Sequence, residues 1–133
     1  MRVVLDTNVV ISGIFFHGVP GRIVDALVDG KFMLFTTPSI LGEYGRVISE
    51  VGSRQGDLMA FEWIDTLVEI CHVIPDSPHP TQHSRDPHDD KFIDCAISSK
   101  ADYLVTGDGD LTSIAGSFSF KIVTPRKFIS KIK

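Results

Sequence analysis

An α/β domain on a central, mostly parallel β-sheet is what this 133-residue sequence predicts, and three observations predict it. Short apolar or β-branched runs alternate with stretches of helical period, the pattern of repeated βαβ units. Two of the runs, Val3 to Leu5 and Tyr103 to Val105, sit between turn or charged residues and are too short for buried helices. Helix-start signals of Thr or Asp followed by Pro recur at Thr37-Pro38, Asp86-Pro87 and Thr124-Pro125.

Taken in order, the first strand is expected over Arg2 to Asp6 and ends on a carboxylate. After TNVVISGIF and a Gly/Pro turn, GRIVDALVDG places Ile23, Val24, Leu27 and Val28 at helical spacing, with Gly30 as C-cap. KFMLFT is the second strand. Thr37 then caps a helix through SILGEYGRVIS, with Pro38 at its first position. DLMAFEWIDTLVEI predicts a further helix whose face is Leu58, Phe61, Ile64 and Leu67/Val68. HVIP is a short extended segment, and Pro75 to Ser84, with three prolines, is a loop. Asp86 caps the next helix, with Pro87 at its first position and Asp89 completing a capping box. DYLVT is a strand, GDGD a turn and FKIVT the last strand. Thr124-Pro125 opens a short terminal helix.

With 43% hydrophobic and 23% charged residues, residues 1–133 read as one domain with a single core. The apolar stretch Val9 to Phe16 is interrupted by Ser12 and Gly13 and is far shorter than the roughly 20 residues that span a bilayer, so no membrane segment is expected. Nor is a secretory leader, because the run from Val3 stops at Asp6. Cys71 and Cys95 form no CxxC pair, which fits free thiols in a reducing cytoplasm. The net charge of -4 disfavours a polyanionic partner at first sight. Its distribution matters more: residues 121–133 carry Lys121, Arg126, Lys127, Lys131 and Lys133 and no acid, while acids gather between 86 and 110. That basic run reads equally as a solvated tail or a phosphate-contacting edge.

Ligands of an open parallel sheet collect beyond the carboxyl ends of its strands. Asp6 closes the first strand there, and Asp108 follows YLVT by two residues. Each also has an ordinary explanation, as a turn-capping carboxylate. Glu43 shares a helical face with Ile40 and Val47, so it points inward, where an acid is costly unless paired or metal-bound; Arg46 at i+3 is the competing partner. Gly42 and Gly45 flank it and suit close approach of another backbone. Asp86 and Asp89 are explained as helix-start residues. Asp90 is left over, with Asp94 below it at i+4, where like charges repel by about 0.3 kcal/mol unless a cation compensates. Asp6, Glu43, Asp90 and Asp108 thus arrive from four segments at one end of a sheet. With these four set aside, acids and bases balance at 13 each. All-oxygen donors select hard cations, Mg²⁺ or Mn²⁺, and without one the mutual repulsion should raise carboxylate pKa values.

VVLDTNVVIS, TPSILGEYGRV, RDPHDDKFIDCAISSKADYLVTGDGDL and IVTPRKFI, in order and across nearly the whole chain, resemble the PIN-domain family of nucleases. Within it, the sequence is similar to the small stand-alone proteins of the VapC type, toxins of toxin–antitoxin pairs. The resemblance implies a three-layer α/β/α fold, Mg²⁺- or Mn²⁺-dependent endonuclease action on single-stranded RNA with one or two ions, a cognate antitoxin as partner and a homodimer. It matches the family's acidic positions to Asp6, Glu43, Asp90 and Asp108 and its polar pocket residues to Asn8 and Thr106. Asp94 falls where many members carry a small residue and stands as an additional candidate ligand. The implied chemistry is phosphodiester hydrolysis, with cations held by Asp6, Asp90 and Asp108 and with Glu43 binding or orienting a second ion or its water. Arg22, Arg85 and Lys91 are candidate phosphate contacts.

Two other functional classes stay open at this point. A catalytically silent RNA-binding or protein-interaction module would keep the fold without turnover. An aspartate-nucleophile phosphatase would begin with the same strand-ending Asp but usually needs a second acid where Asn8 stands. His79, His83 and His88 with Asp89 match no closed zinc spacing and read better as a solvated loop. Trp63, Phe61 and Tyr44 read as core or interface residues, and the face from Leu58 to Leu67 as packing within the protomer or in a dimer.

Overall fold

Among the described residues five strands pair, all in parallel, in the order β3-β2-β1-β4-β5. They are β1 (Arg2–Leu5), β2 (Met33–Thr36), β3 (His72–Val73), β4 (Tyr103–Val105) and β5 (Lys121–Val123). The computed structural model describes residues 1–78, 87–112, 114, 116 and 118–132. Val3, Val4, Leu5, Leu34, Leu104 and Val105 are fully buried, as expected of short β-branched runs in the middle of a sheet covered on both sides. The fold is three-layer α/β/α. From β1 the chain steps outward to β2 and β3, then returns past β1 to β4 on its other side. The carboxyl ends of β1 and β4 therefore flank the reversal point, where open α/β sheets form their crevice.

The helices are α1 (Thr7–Phe15), α2 (Gly18–Val28), α3 (Pro38–Gln55), α4 (Phe61–Ile70), α5 (Asp90–Ser98), α6 (Gly109–Thr112) and α7 (Pro125–Ile129), with 3₁₀ turns at Leu58–Ala60 and Pro87–Asp89. TNVVISGIF, to which the sequence pattern assigned no element, is α1. Its β-branched residues weaken helix propensity, and burial of Val9, Val10, Ile11 and Ile14 overrides that. At Gly13 a Cβ would stand 2.4 Å from Val24 Cγ2 and 2.6 Å from the Pro20 carbonyl oxygen, so only glycine lets α1 and α2 meet this closely. Thr37 and Thr124 cap as expected, their hydroxyls accepting from the amides of Ile40 and Lys127 at 3.3 Å. Gly30 takes a left-handed φ of 76° just beyond α2.

Several expectations are corrected. GDGD is not only a turn, since α6 begins at Gly109. The predicted apolar face of 58–68 is rotated: Leu67 is buried and Trp63, Ile64 and Ile70 pack on the core, while Leu58 is 80% exposed and Phe61 and Val68 also face outward. A 3₁₀ turn precedes α4, so helical phase counted from Leu58 does not carry through. Gly42 has nothing within 4 Å of an added Cβ and Gly45 only Ile64 at 3.9 Å, so neither serves close approach; Gly52, against Ala60 at 3.0 Å, does. Asp86 lies outside the described residues. Asp89 makes no side-chain cap bond and is buried, because the 3₁₀ turn displaces the start of α5 by three residues from Pro87.

Candidate active site

Asp6 follows directly on β1, in the extended conformation that opens α1 (φ −60°, ψ 146°). It is only 6% exposed. Its Oδ2 accepts the Thr106 hydroxyl at 2.7 Å, and Thr106 Oγ1 accepts the Asp108 amide at 2.9 Å. Thr106 closes β4 and is fully buried, so one hydroxyl couples the ends of β1 and β4. Burial pushes the Asp6 carboxyl above its ordinary value; the Thr106 hydroxyl and the Asn8 amide pull it down, and the charges of Asp108 and Glu43 raise it again. Asp6 thus feels two of the other matched acids at this edge.

Glu43 reaches the edge from α3. That helix is pinned to β1 by the neighbouring Tyr44, buried, whose hydroxyl donates to the Leu5 carbonyl at 2.5 Å. The Glu43 side chain is 9% exposed. Its Oε2 accepts the Thr7 hydroxyl, and its Oε1 lies 2.5 Å from Lys91 Nζ and 2.5 Å from His88 Nε2. Burial raises this carboxyl too, but hydrogen bonds from Lys91 and Thr7 and the positive charges of Lys91 and His88 outweigh it and hold Glu43 below its ordinary range. Arg46 pairs instead with Glu50 at 3.1 Å, which removes the intrahelical explanation of Glu43.

Asp90 is buried at the first position of α5, beside the residue that touches Glu43, and α5 packs on β1, β2 and β4. Asp94 sits one turn further on, half-buried. Asn8 is exposed on the first turn of α1. Of the candidate phosphate contacts, Lys91 is engaged with Glu43, and Arg22 lines a groove of about 280 Å³ with Asp25, Asp29, Lys31, Ile129 and Ile132. Arg85, His79 and His83 lie outside the described residues. Thr7 is the site residue that sequence reasoning missed, and His88, read there with the loop histidines, lies against Glu43 instead. The polar Thr7 next to Asp6, ahead of an apolar run, was the one available signal.

An all-oxygen set of Asp6, Asp90, Asp108 and Glu43 fits a hard divalent cation. Among the described residues no group of three His, Cys, Asp or Glu is gathered at metal-ligand spacing. Mg²⁺ does not require such a cage, because it keeps most of its waters and is held by one or two carboxylates together with substrate phosphates. The thiols offer no rival chemistry: Cys71 and Cys95 are unpaired with each other, and burial pushes both up to about 12.

Residues 2–110 match the family model of the PIN domain. The chain belongs to the PIN-domain family. Membership carries nuclease activity as the general property of these domains, and it is consistent with acids grouped at the carboxyl edge of the sheet. An uncharacterised protein, MJ1680, of Methanocaldococcus jannaschii is 33% identical over 144 residues, spanning all of this chain and 92% of its relative. Among solved structures, the PIN fold seen here is similar to VapBC2 from Rickettsia felis bound to a DNA fragment from their promoter (TM-score 0.62, 15% identity, 93% of this chain and 98% of that one). It is also similar to PAE2754 from Pyrobaculum aerophilum (TM-score 0.63, 13% identity, 98% and 88%). No single helix among the described residues is long and apolar enough to cross a membrane.

Proposed function

We propose that this PIN-domain protein is a Mg²⁺- or Mn²⁺-dependent endoribonuclease of single-stranded RNA, acting as the toxin of a cytoplasmic toxin–antitoxin pair. The observation that carries the nuclease reading is the carboxyl edge of the sheet, where Thr106 bonds both Asp6 Oδ2 and the Asp108 amide while Thr7, the residue after Asp6, bonds Glu43. The likeness to VapBC2 supports a cognate antitoxin as partner, and a homodimer is part of the same reading.

In this reading Asp6, Asp90 and Asp108 hold the cation, and Asp94 stands one turn behind them. When bound, the cation supplies Lewis acidity at the phosphate and a bound water of lowered pKa. Thr106 fixes the Asp6 carboxylate and the Asp108 backbone at once, which holds the two segments together at this edge. Thr7, Lys91 and His88 fix Glu43. Asn8, exposed on the first turn of α1, is assigned to the pocket lining in this reading. Arg126 and Lys127, exposed just past the carboxyl end of β5, and Arg22 on α2 offer positive charge to a phosphate backbone. Arg85 is retained as a phosphate contact on sequence grounds.

Cleavage of a labelled single-stranded RNA panel, with Mg²⁺, Mn²⁺ or chelator and with Asp90→Asn prepared identically, tests this. Metal-dependent cutting lost in the variant is expected. No cutting and no metal binding by calorimetry would overturn the reading and leave a binding module. Turnover of a small phosphate monoester in place of RNA would indicate a phosphatase.

A further inference from the structure

Every oxygen of the Glu43 carboxylate is already claimed by the chain's own donors. Oε2 takes the Thr7 hydroxyl, and Oε1 takes both Lys91 and His88, whose Nζ and Nε2 lie 3.4 Å apart. Of these two nitrogen partners, Lys91 is the more enclosed, 24% exposed against 60% for His88. Its ammonium also lies 5.5 Å from the ring of buried Phe92. It follows Asp90 at the start of α5.

We propose that Lys91 is a positioning residue: a resident counter-cation that holds the Glu43 carboxylate in the metal-free protein and leaves it when a divalent cation enters the acid cluster. The proposal rests on the metal-dependent reading above. An ammonium 2.5 Å from Oε1 stands where a cation shared by Glu43 would have to approach, and two positive charges on one largely enclosed oxygen repel strongly. Occupation by one excludes the other. Without Lys91 the Glu43 charge would be left enclosed with weaker compensation, which explains why a basic residue is held there in the metal-free state. Metal affinity is thereby set below what the four acids alone would give, and the fold is spared the repulsion of an empty acid cluster.

Titration calorimetry of Mn²⁺ into the full-length protein and into Lys91→Met and Lys91→Arg tests this. Lys91→Met is expected to bind Mn²⁺ about fivefold more tightly, as befits loss of a competing, partly screened ion pair, and to unfold at lower temperature when metal-free. Lys91→Arg, which keeps the charge, should stay near wild type. In wild-type protein, labelling of Lys91 by an amine-reactive reagent, read by mass spectrometry, should rise on adding Mn²⁺. A merely structural lysine would move neither quantity in these directions. Equal or weaker Mn²⁺ binding by a folded Lys91→Met overturns the proposal while leaving the nuclease reading intact; should that variant fail to fold, Lys91→Gln carries the same expectation. Absence of Mn²⁺ binding in wild type overturns both.

Discussion

The Thr106 hydroxyl donates to Asp6 Oδ2 at 2.7 Å across a separation of 100 residues, while its oxygen accepts the Asp108 amide. One side chain therefore holds two of the four acids. Thr106→Val removes both bonds and leaves a buried carboxylate short of a donor. Urea unfolding at pH 7 should show a loss of about 1–2 kcal/mol. RNA cleavage should fall by at least about tenfold, whereas Thr106→Ser should behave nearly as wild type. Unaltered stability in the valine variant would contradict the coupling.

Asp6→Asn should separate stability from activity. The folded Asp6 carboxyl lies above its ordinary 3.8 because it is buried, so the folded state holds this proton more tightly than the unfolded one. Stability from this group is full at low pH and declines as pH rises from 3.8 through the folded value. At pH 7 the near-isosteric amide should make the metal-free protein more stable by about 1 kcal/mol, with cleavage abolished. Denaturant curves at pH 4 and pH 7 check the sign, and a less stable variant at pH 7 would contradict it.

Glu43 should show the opposite slope. Its carboxyl is held below the ordinary 4.5, since its Lys91 and Thr7 bonds and nearby positive charges overcome burial. The stability it contributes is present above 4.5 and lost as pH falls through the folded value. Glu43→Gln should therefore be less stable than wild type at pH 7 by about 0.5 kcal/mol, a modest figure because the pair is partly screened by solvent. That gap should close toward pH 3 in thermal melts, and a gap that widens on acidification would refute the assignment.

Gly13→Ala should destabilise, although alanine favours a helix by about 1 kcal/mol over glycine. The added methyl meets Val24 at 2.4 Å and a Pro20 backbone oxygen at 2.6 Å. A loss of about 2 kcal/mol in urea midpoints is expected; a stabilised variant would mean that α1 and α2 separate readily.

The strand runs and the Thr-Pro helix starts were legible because each is written in contiguous residues. What escaped depends on contacts between distant segments. TNVVISGIF has poor intrinsic helix propensity and folds as α1 through burial. The phase of 58–68 was misread because a 3₁₀ turn interrupts it. Asp89 was read as a solvated capping residue, yet it is buried once α5 begins at Asp90. The contact of Lys91 with Glu43 depends on the approach of α3 to α5, which no contiguous stretch encodes. Gly42 and Gly45 retain no structural explanation.

The place of β4 in the sheet has a bearing on synthesis. It is inserted between β1 and β5, but it is encoded at residues 103–105, after three of the four acids have been made. A nascent chain emerging from the ribosome carries Asp6 100 residues before Thr106 can lock it in place. Its sheet then ends at β1, with one edge still open. For a nuclease of this family, the hydrogen-bonded link between the first and fourth strands ties completion of the acidic edge to the synthesis of residue 106.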